Sequence, residues 1–131
     1  MARLRASAEY RLTISRELNE RDGRHVTAFL LQTERQFASF RYEISVGEDL
    51  GEGTIGLTIL GLRTPQLSLP SSGPAEFRRV YDHPDGPYEV RVTGLDGTVA
   101  MFAMEVRGNT VAITRKPPEG FLDVVTPART V

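Results

Sequence analysis

The chain has no cysteine and no tryptophan, a single lysine and only two histidines. The missing cysteine excludes disulfides, thiolate nucleophiles and cysteine-based metal sites. Long apolar runs are absent too: no stretch approaches the roughly 20 residues of a membrane-spanning helix. The N-terminal residues Met1–Tyr10 carry basic side chains without the apolar run of an intact signal peptide, so the default expectation is a cytoplasmic protein. Excess charge of either sign is also lacking. Sixteen Lys and Arg against 17 Asp and Glu leave a net charge of -1, which gives no long-range attraction to nucleic acid or an anionic membrane.

What is present is ordinary for a globular domain: 40% hydrophobic and 25% charged residues, with 12 Gly and 8 Pro. A length of 131 residues predicts one domain, and such a chain buries about two-thirds of its unfolded surface without a metal or disulfide staple. Fifteen of the sixteen basic residues are arginine, the better residue for bidentate anion recognition. They are dispersed along the chain rather than gathered into a patch.

Apolar residues recur with period two, the mark of half-buried strands. Ala8, Tyr10, Leu12 and Ile14 alternate with Glu9, Arg11 and Thr13, and residues 17–23 supply a turn. Residues 25–37 fit a helical face or a strand; their short apolar core, Val26 to Leu31, and strand neighbours favour a strand. Ala38, Phe40, Tyr42, Ile44 and Val46 form the next alternation, followed by an expected turn over Gly47–Gly53. Ile55, Leu57 and Ile59 follow, with Leu60 and Leu62 extending the apolar character. Proline excludes a central strand from residues 63–75, although 66–69 can form a short edge piece. Short strands are expected at 76–82, 86–94, 98–106 and 111–115, then a proline-rich tail from about residue 117 in which Phe121–Val125 can dock.

The hairpin over 86–106 is specific enough to fix its register. A two-residue turn at Asp96-Gly97 would set Tyr88 opposite Glu105. A three-residue loop, Leu95-Asp96-Gly97, instead sets Val92 against Ala100, Val90 against Phe102 and Tyr88 against Met104. That loop needs a left-handed residue at its third position, which suits Gly97. A two-residue turn at Gly108-Asn109 then sets Met104 against Ile113 and Val106 against Val111. The opposite face of this meander carries Glu89, Arg91, Glu105, Thr114 and Lys116, but also Val99, Met101, Ala103 and Ala112. These four are more apolar than a wet face requires, so the tail around Phe121 or a partner subunit is expected to cover them.

No motif outweighs its structural explanation. Gly51–Gly56 matches G-x-G-x-x-G, but a polar turn precedes it and a strand follows, where a dinucleotide site needs a strand and then a helix. It also has the wording of a protein-kinase glycine loop, without the lysine strand, catalytic loop or metal-binding motif of that family. Glu48, Asp49 and Glu52 cluster without calcium-ligand spacing and are expected in a solvated turn. Asp82, His83 and Asp85 form the one place where a histidine sits among carboxylates, a weak candidate for general-base or metal chemistry in residues that otherwise build a turn. Ser71–Gly73 lacks the nucleophile elbow. Arg41 beside Phe40 and Tyr42, and Arg78-Arg79 beside Phe77 and Tyr81, interleave aromatic and basic residues, but strand neighbours point to opposite faces.

Asp85-Gly-Pro-Tyr88-Glu-Val90 resembles the tyrosine-corner pattern of immunoglobulin-like and fibronectin type III sandwiches. The resemblance implies that Tyr88 packs into the core and bonds nearby backbone through its hydroxyl. It spans about a quarter of the chain; no buried Trp accompanies it, and an extra strand follows.

About eight short strands with alternating patterns predict a single-domain antiparallel β-sandwich, immunoglobulin-like in the loose sense, with an up-and-down, lipocalin-like barrel as the alternative. The expected function is a non-enzymatic binding or assembly module, self-associating through Val99, Met101, Ala103 and Ala112. A barrel carrier for a small apolar ligand is the alternative, and an enzyme using His83 with Asp82 or Asp85 comes third. No cofactor, metal or nucleic-acid partner is implied.

Overall fold

The computed structural model describes residues 8–38, 41–64 and 72–127, and in them the chain is all-β. Nine strands follow in order: β1 (Tyr10–Asn19), β2 (Arg24–Phe37), β3 (Glu43–Gly51), β4 (Thr54–Arg63), β5 (Gly73–Tyr81), β6 (Gly86–Thr93), β7 (Val99–Arg107), β8 (Thr110–Arg115) and β9 (Leu122–Val125). They form one mixed sheet, ordered β8-β7-β6-β4-β3-β5-β2-β1-β9 and curled into a half-barrel. Residues 116–121 join the two edge strands. Six linking residues reach at most about 25 Å, so the sheet has to curl to bring its edges together.

Period-two alternation decides which side chains face inward. On β1, Leu12 and Ile14 are fully buried and stand opposite Leu31 and Phe29 of β2. Ile55 and Leu57 of β4 pair with Val90 and Val92 of β6, which in turn pair with Phe102 and Ala100 of β7, and Ile59 of β4 pairs with Val46 of β3. These residues, with Ile44, Met104, Val106 and Ala75, make one continuous core on the concave side. Phe29 and Phe102 are both fully enclosed, and each contributes about 3 kcal/mol through burial alone.

The sheet is weakest where β3 meets β5. A single backbone pair, Glu43 with Glu76, joins these parallel strands, and the Glu76 N–H donates to Tyr42 O at 3.2 Å. Beyond it, side chains take over. The Tyr81 hydroxyl donates to Glu48 Oε2 at 2.7 Å, and Arg79 pairs with Glu48 Oε1 at 2.9 Å. Burial, and then the adjacent Glu48 carboxylate, push the Tyr81 hydroxyl far above the ordinary tyrosine range.

Several expectations hold. Residues 25–37 lie within β2 as a strand. The hairpin adopts the three-residue loop: Val92 pairs with Ala100, Val90 with Phe102 and Tyr88 with Met104, and Gly97 takes φ 86°. Met104 faces Ile113 and Val106 faces Val111 across the next turn.

Other expectations are corrected. The strands do not divide into two packed antiparallel sheets, because β1–β9, β3–β5 and β4–β6 are parallel neighbours within one sheet. The same crossovers exclude an up-and-down order. Strand β3 runs through Gly47–Gly51, which leaves only Glu52-Gly53 as the turn. Glu48 therefore belongs to a strand and holds two partners rather than lying in a solvated turn. Among the described residues, the tail does not cover the outer face of the meander. Phe121 turns inward against Tyr10, 5.5 Å between ring centroids, and β9 adds to β1 in parallel. The strand expected from Ala38 begins only at Glu43; its Phe40, the piece expected at 66–69 and the loop serine Ser71 lie outside the described residues.

Candidate functional site

The inward alternation of β1 does not stop at Ile14. One step further it delivers Arg16, placed opposite Thr27 of β2 at one end of the half-barrel. The Arg16 side chain is only 4% exposed. Its Nε donates to Gly108 O at 2.9 Å and its Nη1 donates to Thr27 Oγ1 at 2.8 Å. Thr27 is itself fully buried. Gly108 belongs to the β7–β8 turn, so this arginine ties the far side of the curl to β1 and β2.

The β5–β6 turn supplies the facing wall. Asp85 accepts the Gly108 N–H through Oδ2 at 2.8 Å, while its Oδ1 stands 3.6 Å from Arg16 Nη2. Asp82 pairs with Arg24 at 2.7 Å on the rim. His83 lays its ring against Tyr88, 4.3 Å between centroids, with Nδ1 3.3 Å from Pro84 O. Its Nε2 is enclosed and meets no hydrogen-bond partner. The Tyr88 hydroxyl donates to Pro84 O at 2.6 Å, the return bond that the tyrosine-corner resemblance implies. The Tyr88 ring is half-buried, and burial followed by the nearby Asp85 raises its hydroxyl above the ordinary range.

Arg16, Arg24, Asp82, His83, Asp85 and Gly108 line a cleft of about 470 Å³ that also takes in His25. The fold thus brings both histidines of the chain to one place, although 57 intervening residues separate them in sequence. It brings Asp82, His83 and Asp85 to the cleft wall without making a catalytic pair. Asp82 is engaged by Arg24, Asp85 by Gly108 and Arg16, and the near partner of His83 Nδ1 is a backbone carbonyl. Among the described residues no group of three or more His, Asp or Glu side chains is placed to hold a metal ion. Arg16 is the residue that sequence reasoning missed. Its signal was present: it continues the Tyr10, Leu12, Ile14 alternation, which predicts a charged side chain on the apolar face.

The second candidate is the convex face of β6–β7–β8. Val99 is 47% exposed and Ala112 is exposed, while Met101 and Ala103 are half-buried. All four share this face, opposite Thr93, Glu105, Arg91 and Glu89 respectively for Val99, Ala112, Met101 and Ala103. A bulge between Ala103 and Met104 refines the expected register. Continued unbroken, the pairing would set Arg115 opposite the buried Phe102. The bulge sets Arg115 opposite Ala103 instead, where it reaches Glu89 at 3.2 Å on the outer face. No protein-family model, curated protein or solved structure matches this chain, so its function has to be argued from this geometry.

Proposed function

We propose that this domain is a non-enzymatic binding and assembly module that associates with a second copy of itself through the convex face of β6–β8. One observation carries the reading: Phe121, the tail residue expected to cover Val99, Met101, Ala103 and Ala112, lies in the core instead, and β9 after it adds to β1. The apolar stripe is flanked by Arg91 and by the Glu89–Arg115 pair, an apolar centre with a charged rim of the kind that two-fold interfaces use. The carrier reading needs an internal chamber of roughly 300 Å³ or more. The concave side is instead packed with Phe29, Phe102, Leu12, Ile14, Leu57 and Met104. Catalysis by His83 needs a carboxylate partner, and both neighbouring carboxylates are bound to other groups.

Light scattering on the eluting protein tests the proposal. The wild-type chain is expected as a dimer at micromolar concentration, and Met101→Glu as a monomer with an unchanged circular-dichroism spectrum. A wild-type monomer at high concentration, or a Met101→Glu protein with unaltered mass and melting temperature, refutes it.

A further inference from the structure

The end cleft holds more hydrogen-bonding capacity than the protein uses. Thr27 and Gly108 fix Arg16 through two of its nitrogens. The third, Nη2, stands 3.6 Å from Asp85 Oδ1, well beyond the 2.7–2.9 Å of a closed charged bond. The Gly108 N–H is turned into the same corner, where Asp85 Oδ2 accepts it. His83 contributes an enclosed Nε2 with no partner, a condition that buried polar atoms rarely tolerate. Asp82 does not compete here, because Arg24 neutralises it at the rim. A guanidinium nitrogen and a backbone N–H as donors, with an imidazole nitrogen as acceptor, around a hollow of about 470 Å³ suit a compact oxyanion that still carries a proton. The group nearest to these donors is the side chain of Asp85, itself 53% exposed.

We infer that this cleft binds a phosphate group, with Asp85 as a built-in competitor for the same donors. Phosphate suits the corner better than a carboxylate does. Its ionised oxygens accept from Arg16 Nη2 and from the Gly108 N–H. Its P–OH donates to His83 Nε2, whose lone pair is free when Nδ1–H points at Pro84 O. A carboxylate offers the acceptors and lacks the donor. Asp85 sets the affinity: its charge repels the ligand and its oxygens occupy the donors, so wild-type binding is weak and removal of that charge strengthens it.

The test is a titration with inorganic phosphate at pH 7, followed by calorimetry and by the imidazole NMR signals, which can come only from His25 and His83. The wild type is expected to saturate in the millimolar range with a shift of the His83 signals. Asp85→Asn, which keeps an acceptor for Gly108 but removes the competing charge, is expected to bind about tenfold tighter or better. Arg16→Gln is expected to abolish binding. Should that variant fold poorly, His83→Phe keeps the ring packing on Tyr88 and removes Nε2, and is expected to lose about tenfold. Sulfate and acetate, which lack the donor hydroxyl at this pH, are expected to bind more weakly than phosphate. Glycerol 3-phosphate separates two sources of the same chemistry: equal or tighter binding assigns the cleft to phosphomonoesters, and its exclusion assigns it to the free ion. The inference is overturned if Asp85→Asn binds phosphate no better than the wild type, if acetate or sulfate binds as well, or if the His83 signals stay unmoved.

Discussion

The contact between Gly94 and Phe121 gives a sharp test of how the C-terminal segment is held. A Cβ built on Gly94 would lie 2.8 Å from both Cε1 and Cζ of the Phe121 ring. The ring has little room to retreat, since it also packs edge-on against Tyr10. Its backbone carbonyl is anchored as well, accepting the N–H groups of Glu9 and Tyr10, each at 3.0 Å. Gly94 has no positive φ, so alanine is conformationally acceptable there and the steric clash is the main cost. Overpacking of this kind costs about 1–3 kcal/mol. An unfolding entropy of about 2.1 cal/mol/K per residue gives this chain about 0.28 kcal/mol/K, so each kcal/mol lowers the melting temperature by about 4 °C. Gly94→Ala is therefore expected to melt about 4–12 °C below the wild type. Phe121→Ala removes a ring that is only 7% exposed and is expected to cost about 3 kcal/mol. The decisive measurement is the double variant. With the ring gone the clash is gone, and Gly94→Ala becomes neutral or stabilises by about 0.4–1 kcal/mol through the unfolded state. Thermal and urea unfolding of the four proteins yields the coupling energy directly. Equal effects of Gly94→Ala in both backgrounds would refute the packing argument.

Two further outcomes follow from the tyrosines and the β3–β5 joint. Tyr81→Phe removes a 2.7 Å bond to a carboxylate whose side chain is 22% exposed; because Arg79 remains on Glu48, the expected loss is about 1–2 kcal/mol. Faster amide exchange in β3 and β5 than in β6 and β7 should accompany it, and uniform exchange would show that the joint does not depend on this side chain. At alkaline pH, Tyr10, Tyr81 and Tyr88 all have hydroxyls raised above the ordinary range, in each case first by burial, then by Glu9, Glu48 and Asp85 respectively. A folded value above the unfolded value of about 10 means the folded state holds these protons more tightly. Their contribution is thus complete below about pH 10 and is lost as pH rises through the folded values. Absorbance at the tyrosinate band, free of tryptophan in this chain, should therefore show Tyr10, Tyr81 and Tyr88 ionising above the ordinary tyrosine range. Early ionisation of Tyr81 in a folded protein would contradict its burial.

Residue sequence alone carried the local half of this structure. Period-two alternation marked the strands, and residues 25–37 resolved as a strand because an apolar run that short, between strand neighbours, has no room for a helix. Turn chemistry set two hairpin registers, because a loop of fixed length with glycine at its left-handed position leaves one alignment that keeps Val90, Phe102 and Met104 on a single face. The tyrosine-corner resemblance implied the bond from Tyr88 to nearby backbone, a local one whose two ends, Tyr88 and Pro84, lie four residues apart. Alternation reports which face of a strand is buried, however, and not which strand lies beside it or in which direction that neighbour runs. The parallel pairs β1–β9, β3–β5 and β4–β6 are set by how the whole sheet closes over its core. The inward turn of Phe121 depends on a space that only Gly94 and Tyr10 together create. The meeting of His25, His83 and Asp85 around Arg16 likewise has no local cause: it arises because the curl brings the β7–β8 turn, the β5–β6 turn and the end of β1 to one rim.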